Sequence, residues 1–455
     1  MSGLVNHTHA VSAQSWLASA NGHPDFPIQN LPIAIFRRHE SQETFRGGVA
    51  IGDQVLDLAA LLSSGLWKEG LAEPILKACT LAAQSTLNNF MAAGPGTWQA
   101  LRHALFAALE LGQSADIQAL VRQCLVPQSE IEFALPTQIG DYTDFYTSIH
   151  HARNVGHLVR PQDPLTSNFQ WLPMAYHGRA SSVVISGTPF HRPSGQTMPP
   201  GCVAPVYGPS TRLDYELELG VFVGPGNGMG QAVPLAQAES HMFGVCLLND
   251  WSARDIQFWE MAPLGPFSGE NFCTSISPWI VSMEALAPFR MPFTRPKSEP
   301  QPLAYLDGAF NRASGSLDIQ LEVRIETTAH RSQSSGDAQV SQTSFRHQYW
   351  TLAQMLTQHT LGGCNMQPGD LFGTGTVSGP SPHEAGAMVE LTKGGREPLT
   401  LKNSAQQDDA SEQRAFLHDG DCVVLHGWCE SPTAQRIGFG QCRGTVLPAL
   451  VATGP

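Results

Sequence analysis

Charged side chains are scarce in this sequence, and their scarcity narrows the classes of protein it can belong to. Asp, Glu, Lys and Arg make up 14% of the 455 residues, against about 25% in an average soluble domain. Acids outnumber bases by 39 to 26, which gives a net charge of −13, and the longest basic run is the pair Arg37-Arg38. Because binding to phosphate backbones requires clustered Lys and Arg, the sequence argues against a nucleic-acid partner.

Long apolar runs and cysteine pairs are missing as well. No segment approaches the about 18 apolar residues that a membrane-spanning helix needs, so no membrane partner is expected. The segment MSGLVNHTHAVSAQSW lacks the basic start and the apolar core of a signal peptide. The nine cysteines are scattered singly, without a C-x-x-C pair. We therefore expect reduced thiols in a cytoplasmic protein rather than a cysteine-ligated zinc.

Glycine (43 residues) and proline (33 residues) are abundant and separate short β-rich runs. The alternation in residues 31–60 predicts a β-hairpin, and residues 97–111 have the apolar spacing of a helix with Thr97 as its N-cap. Later runs such as SSVVISG, YELELGVFVG and DCVVLHGWC alternate with Gly/Pro turns. We predict a mainly β, α+β fold, with a small domain over residues 1–135 and a larger one over residues 136–455.

Two glutamates, Glu216 and Glu218, lie two residues apart in YELELG. Alternate side chains of a strand share one face, so both carboxylates would point the same way. A solvated strand face is one interpretation of such a pair. The apolar continuation LGVFVG favours a buried strand instead, and a buried carboxylate pair requires a cation or a raised pKa.

The segment LLNDWSARDIQFWE places Asp250 at the end of an apolar run, where a strand would meet a loop. Arg254 and Gln257 follow in a predicted helix, and their spacing of three places them on one helix face. Both carry hydrogen-bond donors that can hold an oxyanion. The alternative is an ordinary surface helix with an Asp at its start.

An acid, a phenol and two imidazoles are concentrated in GDYTDFYTSIHHARNVG. Asp144 and Tyr146 are followed there by His150 and His151, in a segment that we predict to be rich in turns. The combination is typical of a catalytic site, although a single histidine is more often a structural one.

Several segments together resemble the fumarylacetoacetase family. They extend from about residue 140 to 450, with further similarity in the hairpin at 31–58. The segments are DYTDFY with HARNVG, LPMAYHGRASSVVISGTP, LDYELELGVFVGPGN, NDWSARDIQFWE with PLGPF, TSISPW, GTGTVSGP and RIGFGQCRGTVLPAL. The resemblance implies a small N-terminal SH3-like β domain followed by a large β-roll catalytic domain, in a homodimer.

The resemblance also implies roles for individual residues. The ligands of a divalent metal would be Asp144, Glu216, Glu218 and Asp250. The catalytic groups would be the water-activating His151 (in preference to His150), its orienting carboxylate Glu390, and the oxyanion donors Arg254 and Gln257. The substrate would be contacted by Tyr146, Arg160, Tyr176, Gln257 and Thr376.

The activity implied is hydrolysis of a carbon–carbon bond in a β-diketo acid, 4-fumarylacetoacetate, to fumarate and acetoacetate in tyrosine and phenylalanine degradation. Four carboxylates without Cys or His select a hard cation, Ca²⁺ or Mg²⁺. Such an ion can take both oxygens of a β-diketone and stabilise the departing enolate. A histidine beside a glutamate can activate the attacking water.

Two positions depart from the family pattern. The family carries a Gly-Lys pair after PLGPF, whereas PFSGENF here puts Glu270 at the lysine position, and Met261 replaces a tyrosine. An anion is not a conservative exchange for a cation beside four carboxylates. Three interpretations stay open. Glu270 turns away and leaves a slower hydrolase; it binds a second cation; or the protein uses another diketo acid or has lost hydrolysis. A metal-holding relative without catalysis is the alternative function.

Overall fold

The computed structural model describes residues 4–67, 73–334, 336–402 and 412–450. Its N-terminal part consists of a five-stranded sheet in the order β4-β3-β2-β1-β5 with helices packed against it. The strands are β1 (Ile33–Arg38), β2 (Arg46–Ile51), β3 (Gln54–Asp57), β4 (Leu125–Pro127) and β5 (Ile131–Ala134). The helices are α1 (Leu58–Ser63), α2 (Glu73–Ala82), α3 (Asn88–Ala92), α4 (Pro95–Leu109) and α5 (Ala115–Arg122).

The predicted hairpin and helix are both present in this part. β2 and β3 form the hairpin, and Gly52 at its turn has a φ of 58°, in the left-handed region that glycine tolerates best. The helix predicted over 97–111 begins two residues earlier. Thr97 is therefore not its N-cap: Gly94 precedes the helix and Pro95 takes its first position, where the missing N–H of proline costs no hydrogen bond.

The remainder of the chain is built from short strands and a few helices. The strands are β6 (Tyr142–Tyr146), β7 (Met174–His177), β8 (Val183–Ile185), β9 (Phe190–His191), β10 (Ser194–Thr197), β11 (Val206–Pro209), β12 (Leu213–Asp214), β13 (Leu217–Val223), β14 (Met242–Asp250), β15 (Ser252–Ala253), β16 (Thr274–Ile276), β17 (Val281–Ser282), β18 (Arg290–Met291), β19 (Ser316–Leu317), β20 (Gln320–Glu326), β21 (Ala338–Ser344), β22 (Leu371–Gly373), β23 (Leu399–Leu401), β24 (Glu412–Arg414), β25 (Cys422–Ser431) and β26 (Ala434–Leu447). The helices are α6 (Ile149–Val159), α7 (Leu235–Ala238), α8 (Arg254–Glu260), α9 (Ala309–Ser314), α10 (Thr328–Ser332), α11 (Leu352–Thr360) and α12 (Met388–Leu391).

Two sheets enclose the larger hydrophobic core. One runs in the order β7-β6-β22-β13-β14-β16-β8, with β17 paired to β14, and the other in the order β21-β20-β25-β26-β9. Leu219 and Leu247 of the first sheet and Leu321 and Leu425 of the second are fully buried in one cluster. The architecture is the predicted mainly β, α+β type, with a small N-terminal β domain and a large β-rich C-terminal domain.

The two parts also share core side chains. Phe222, Phe243 and Leu248 of the C-terminal part pack into the same buried cluster as the N-terminal helices and strands. The predicted boundary between residues 135 and 136 falls between β5 and β6 and stays a prediction. None of the described helices combines the length and the apolar character required to cross a bilayer.

The segment at 140–156, predicted to be rich in turns, is instead strand β6 followed by helix α6. Ser148 caps the helix by accepting a hydrogen bond from the backbone N–H of His151. β6 pairs with β22 on one side and β7 on the other. These partners are distant in sequence, so the local pattern of residues does not reveal them.

Candidate active site

Four neighbouring strands bring the predicted metal-binding carboxylates together. The order β6-β22-β13-β14 places Asp144 on β6, Glu218 on β13 and Asp250 at the end of β14. Gly373 on β22 lies opposite Asp144. A Cβ atom at Gly373 would lie 2.7 Å from Glu218 Oε2 and 3.0 Å from Asp144 Oδ1. The missing side chain therefore lets the two carboxylates approach each other across the intervening strand.

These three carboxylates are buried, and each is at most 4% exposed. Burial and the neighbouring acids raise the pKa of Asp144 and that of Glu218 well above their ordinary values. Burial and the charge of Glu216 raise the pKa of Asp250 to about 7, although Thr274 Oγ1 donates a hydrogen bond to its Oδ1 at 2.6 Å. Crowded buried acids of this kind take up protons or bind a cation.

Glu216 has a different environment from the other three acids. Its carboxylate accepts hydrogen bonds from Ser252 Oγ at 2.8 Å, from Arg254 Nη1 at 2.6 Å and from Thr376 Oγ1. Burial alone would raise its pKa, but the positive charges of Arg254 and His151 outweigh burial and lower the pKa to about 2. Glu216 is thus ionised at neutral pH without any bound cation.

His151 and Glu390 form a buried pair although 239 positions separate them in the chain. Nδ1 of His151 lies 2.7 Å from Glu390 Oε1. Asn154 Nδ2 and Ser378 Oγ donate to the same carboxylate at 2.8 and 2.9 Å. Burial lowers the pKa of His151, but the charge and hydrogen bond of Glu390 outweigh it, and the pKa is raised above 6.5. Because Nδ1 faces Glu390, Nε2 is the nitrogen available to take a proton.

Arg254, the first residue of α8, is fixed by contacts on two sides. Its Nε donates to Asp214 at 2.9 Å, and its Nη1 donates to Glu216 and, at 3.2 Å, to Gln257 Oε1. Nη2 is buried and has no hydrogen-bond partner among the described residues. Because Gln257 Oε1 accepts from Arg254, its amide nitrogen is left to donate elsewhere. The two residues predicted as oxyanion donors therefore lie in contact, and their role stays a prediction.

Three of the predicted substrate-contacting residues lie at this cluster. The rings of Tyr146 and His151 meet edge to face, with 5.4 Å between their centroids. Tyr176 Oη donates to Asp250 Oδ2 at 3.3 Å, and Thr376 donates to a carboxylate of the cluster.

Arg160 is placed differently from these three. It is exposed at the end of α6 and donates to the carbonyl of Pro164 at 3.3 Å. Its charge still acts on Tyr146 and opposes the rise of the pKa of that phenol. Arg160 therefore lies at the rim of the site, where its role as a substrate contact stays a prediction.

Glu270 does not turn away from the site, so the first of the three interpretations of this position is wrong. Its side chain is 3% exposed, with Oε2 2.7 Å from Ser252 Oγ and Oε1 4.0 Å from Arg254 Nη1. Burial and the charges of Glu216 and Asp250 raise its pKa well above the ordinary value. Met261, the second departure, is 39% exposed at the end of α8.

The donor chemistry of the cluster fits a hard divalent cation. Asp144 Oδ1 and Glu218 Oε1 are buried without hydrogen-bond partners among the described residues, and carboxylate oxygens are the ligands that Mg²⁺ and Ca²⁺ prefer. Among the residues that the structure describes, no group of three or more His, Cys, Asp or Glu side chains is already arranged to hold a metal ion. Glu216 and Asp250 accept hydrogen bonds from hydroxyl groups, and Glu216 also accepts one from Arg254.

Asp214 is a site residue that the sequence reasoning misses. Its carboxylate accepts from Arg254 Nε and from the backbone N–H groups of Met388 and Val389, at 2.8 to 2.9 Å. It thereby joins the oxyanion donors to the short helix α12 that carries Glu390. The available signal was the spacing in LDYELELG, where Asp214 precedes Glu216 by two residues.

Comparison with known proteins assigns both parts of the chain to one family. Residues 142–447 match the family model for the C-terminal domain of fumarylacetoacetate (FAA) hydrolase, and residues 29–136 match that for the N-terminal domain of fumarylacetoacetase. The fumarylacetoacetase of rice (Oryza sativa subsp. japonica) is 46% identical over 430 residues, with 93% of this chain and 95% of the relative covered. The fumarylacetoacetases of Caenorhabditis elegans and human are 47% and 44% identical to this chain. These alignments cover 93% and 94% of this chain, respectively, and 97% of each relative. The chain therefore belongs to the fumarylacetoacetase family.

Proposed function

We propose that the protein hydrolyses a carbon–carbon bond of the β-diketo acid 4-fumarylacetoacetate and releases fumarate and acetoacetate. Relatives that carry the name fumarylacetoacetase match this chain over nearly their whole length. The observation that carries the proposal is the buried His151–Glu390 pair, 2.7 Å between Nδ1 and Oε1, in one site with Arg254 and the carboxylate cluster. A paired imidazole beside oxyanion donors is what attack of water on a ketone requires.

His151 Nε2 takes a proton from water, and the water oxygen attacks the carbonyl carbon. Glu390 keeps the imidazole oriented and stabilises the imidazolium that forms, as its 2.7 Å contact allows. The carbonyl oxygen becomes an alkoxide that accepts hydrogen bonds from Arg254 Nη2 and the Gln257 amide. Losing one such donor typically costs a factor of about 10²–10³ in rate.

Collapse of the alkoxide breaks the carbon–carbon bond, and the electron pair leaves on the enolate of acetoacetate. The imidazolium of His151 returns its proton to the enolate carbon, which balances the step. The residues that would hold a divalent cation are Asp144, Glu216, Glu218 and Asp250. When bound, the cation polarises the diketone oxygens and stabilises enolate charge.

The proposal extends to Ca²⁺ or Mg²⁺ as the cation, to a homodimer and to the cytoplasm, within tyrosine and phenylalanine degradation. All nine cysteines are free thiols, which supports a reducing compartment. Val203, Tyr207, Leu264 and Phe267 are 68–102% exposed, and a contact between two copies would bury such apolar side chains. Light scattering of the purified protein measures the number of chains.

The test is incubation of the protein and Mg²⁺ or Ca²⁺ with 4-fumarylacetoacetate, followed by mass-spectrometric detection of the products. We expect fumarate and acetoacetate in equal amounts. His151→Ala should abolish turnover, whereas the neighbouring half-buried His150 is a matched control whose change to alanine should leave most of it. Equal rates in wild type and His151→Ala would falsify the assigned role.

The second candidate is a metal-holding relative that binds acidic ligands without cleaving them. The buried Glu270 at the position of a family lysine, and Met261 at that of a tyrosine, favour it. Ligand that raises the melting temperature while no product forms over hours would support this candidate. An isomer or a decarboxylated product would instead indicate another reaction of the wider superfamily.

A further inference from the structure

A cavity of about 360 Å³ lies where the N-terminal domain meets the start of β14. Residues of β1, β2 and α4 form one wall, and residues of β14 and of the loop after β17 form the other. Among the described residues, none that is assigned to the candidate active site lines this cavity. Its volume falls within the range of about 300–1,000 Å³ that is usual for small-molecule pockets. The cavity is therefore a candidate ligand site separate from the proposed substrate site.

Most of the cavity wall is apolar. Phe243 packs edge to face against Phe90 and against Trp98, with 5.6 and 5.1 Å between the ring centroids. An apolar wall offers water few hydrogen-bond partners, so an apolar ligand body is favoured there over water. The aliphatic side chains of the wall are those of Leu31, Ile33, Val49, Leu101, Leu105 and Ile280.

Arg102 of this wall is a buried cation that forms no ion pair with any residue in the described ranges. It is 6% exposed. Its Nη1 and Nη2 donate to the backbone carbonyls of Asn30 and Gln29, and its Nε has no hydrogen-bond partner there. Burial lowers the pKa of Arg102 to about 10, and the charge of Glu284 offsets only part of this effect. Arg102 is thus charged at neutral pH and has donor capacity that the protein leaves unused.

The acids of the wall, in contrast, already have partners. Glu284 Oε1 lies 2.7 Å from His103 Nε2. Glu239 forms an ion pair with Arg290, whose Nη1 lies 3.1 Å from Oε1. A carboxylate that enters the cavity would therefore be the first ion-pair partner of Arg102, and charge-assisted hydrogen bonds of this kind are stronger than neutral ones.

We propose that this cavity binds a medium-chain aliphatic carboxylate, whose chain packs against the apolar wall and whose carboxylate accepts hydrogen bonds from Arg102. The aliphatic and aromatic wall provides for the chain, and the unpaired guanidinium selects an anionic head group over a neutral or cationic one. The inference does not depend on the proposed function, because the residues that carry it lie outside the carboxylate cluster and the His151–Glu390 pair.

The experiment titrates the full-length protein with octanoate by isothermal calorimetry at several temperatures. We expect one octanoate per chain and a negative change in heat capacity, because apolar surface is buried. Octylamine carries the same chain with an ammonium, which Arg102 repels, so it should bind at least about tenfold more weakly. Acetate, which has the carboxylate without the chain, should not bind measurably.

Arg102→Met removes the charge and should weaken octanoate binding at least about tenfold. The control Arg38→Met, at an arginine of the same domain whose side chain is 45% exposed, should bind octanoate like wild type. No binding of octanoate to wild type, equal affinity for octanoate and octylamine, or unchanged affinity in Arg102→Met would each overturn the inference. If Arg102→Met does not fold, as judged by circular dichroism, hydrogen exchange in the wild type replaces it. Octanoate should then slow exchange in α4, and slowing confined to α8 would overturn the inference.

Discussion

Replacement of Glu390 by glutamine tests how the catalytic imidazole is tuned. The change keeps the size of the side chain and removes the charge that lies 2.7 Å from His151 Nδ1. A charge-assisted hydrogen bond contributes about 1.5–3 kcal/mol, and about 1.4 kcal/mol corresponds to one pKa unit. Without Glu390, burial dominates, so the pKa of His151 should fall below its raised wild-type value.

The assay is the pH dependence of kcat/KM. His151 acts as a base only when it is unprotonated, so activity is lost as pH falls through its pKa. The wild-type acidic limb should lie above 6.5, where the raised pKa of His151 places it. In Glu390→Gln the limb should move to lower pH, and kcat should fall about 10²-fold as orientation is lost. Glu397→Gln, at a carboxylate that is 61% exposed, is the control. A limb that does not move in Glu390→Gln would refute the coupling.

Three further outcomes are expected. Gly373→Ala places a Cβ 2.7 Å from Glu218 Oε2, so the rise in melting temperature on adding Ca²⁺ should shrink or vanish; an unchanged rise would contradict the site. Arg254→Lys cannot keep the contacts of both Nε and Nη1, and kcat/KM should drop about 10²–10³-fold; full activity would exclude Arg254 as an oxyanion donor. In EDTA the folded protein holds a proton on Asp250 up to about pH 7, above the unfolded value of about 4, so the free energy of unfolding should decrease as pH rises between these values. Urea titrations at several pH values, with and without Ca²⁺, measure this, and a stability that increases over that window would contradict the raised pKa.

The residue pattern within a segment predicts the strands and helices that depend on that segment alone. The apolar run that ends at Asp250 is β14, and the helix predicted after it begins at Arg254. Alternation in YELELG likewise predicts the buried strand β13 with Leu217 and Leu219 in the core. In these segments the side chains that the periodicity predicts to be buried are the ones that pack into the core. The local sequence was therefore enough to predict them.

The residue pattern does not predict contacts between segments that are far apart in the chain. The pairing of His151 with Glu390 was expected only from family resemblance, because no spacing rule connects residues so far apart. Asp214 was missed because its partners lie on α12, which packs against it only in the folded chain. The direction of Glu270 was open for the same reason, since the hydroxyl of Ser252 that it meets belongs to β15.

Asp214 links the predicted oxyanion donor Arg254 to the short helix that carries Glu390, the partner of His151. The same carboxylate fixes Arg254 and the backbone of α12, so the base and the oxyanion donors cannot shift independently of each other. Arg254, Asp214 and the helix that carries Glu390 would therefore be kept or lost together, whereas exposed positions such as Leu264 and Phe267 could vary without disturbing them.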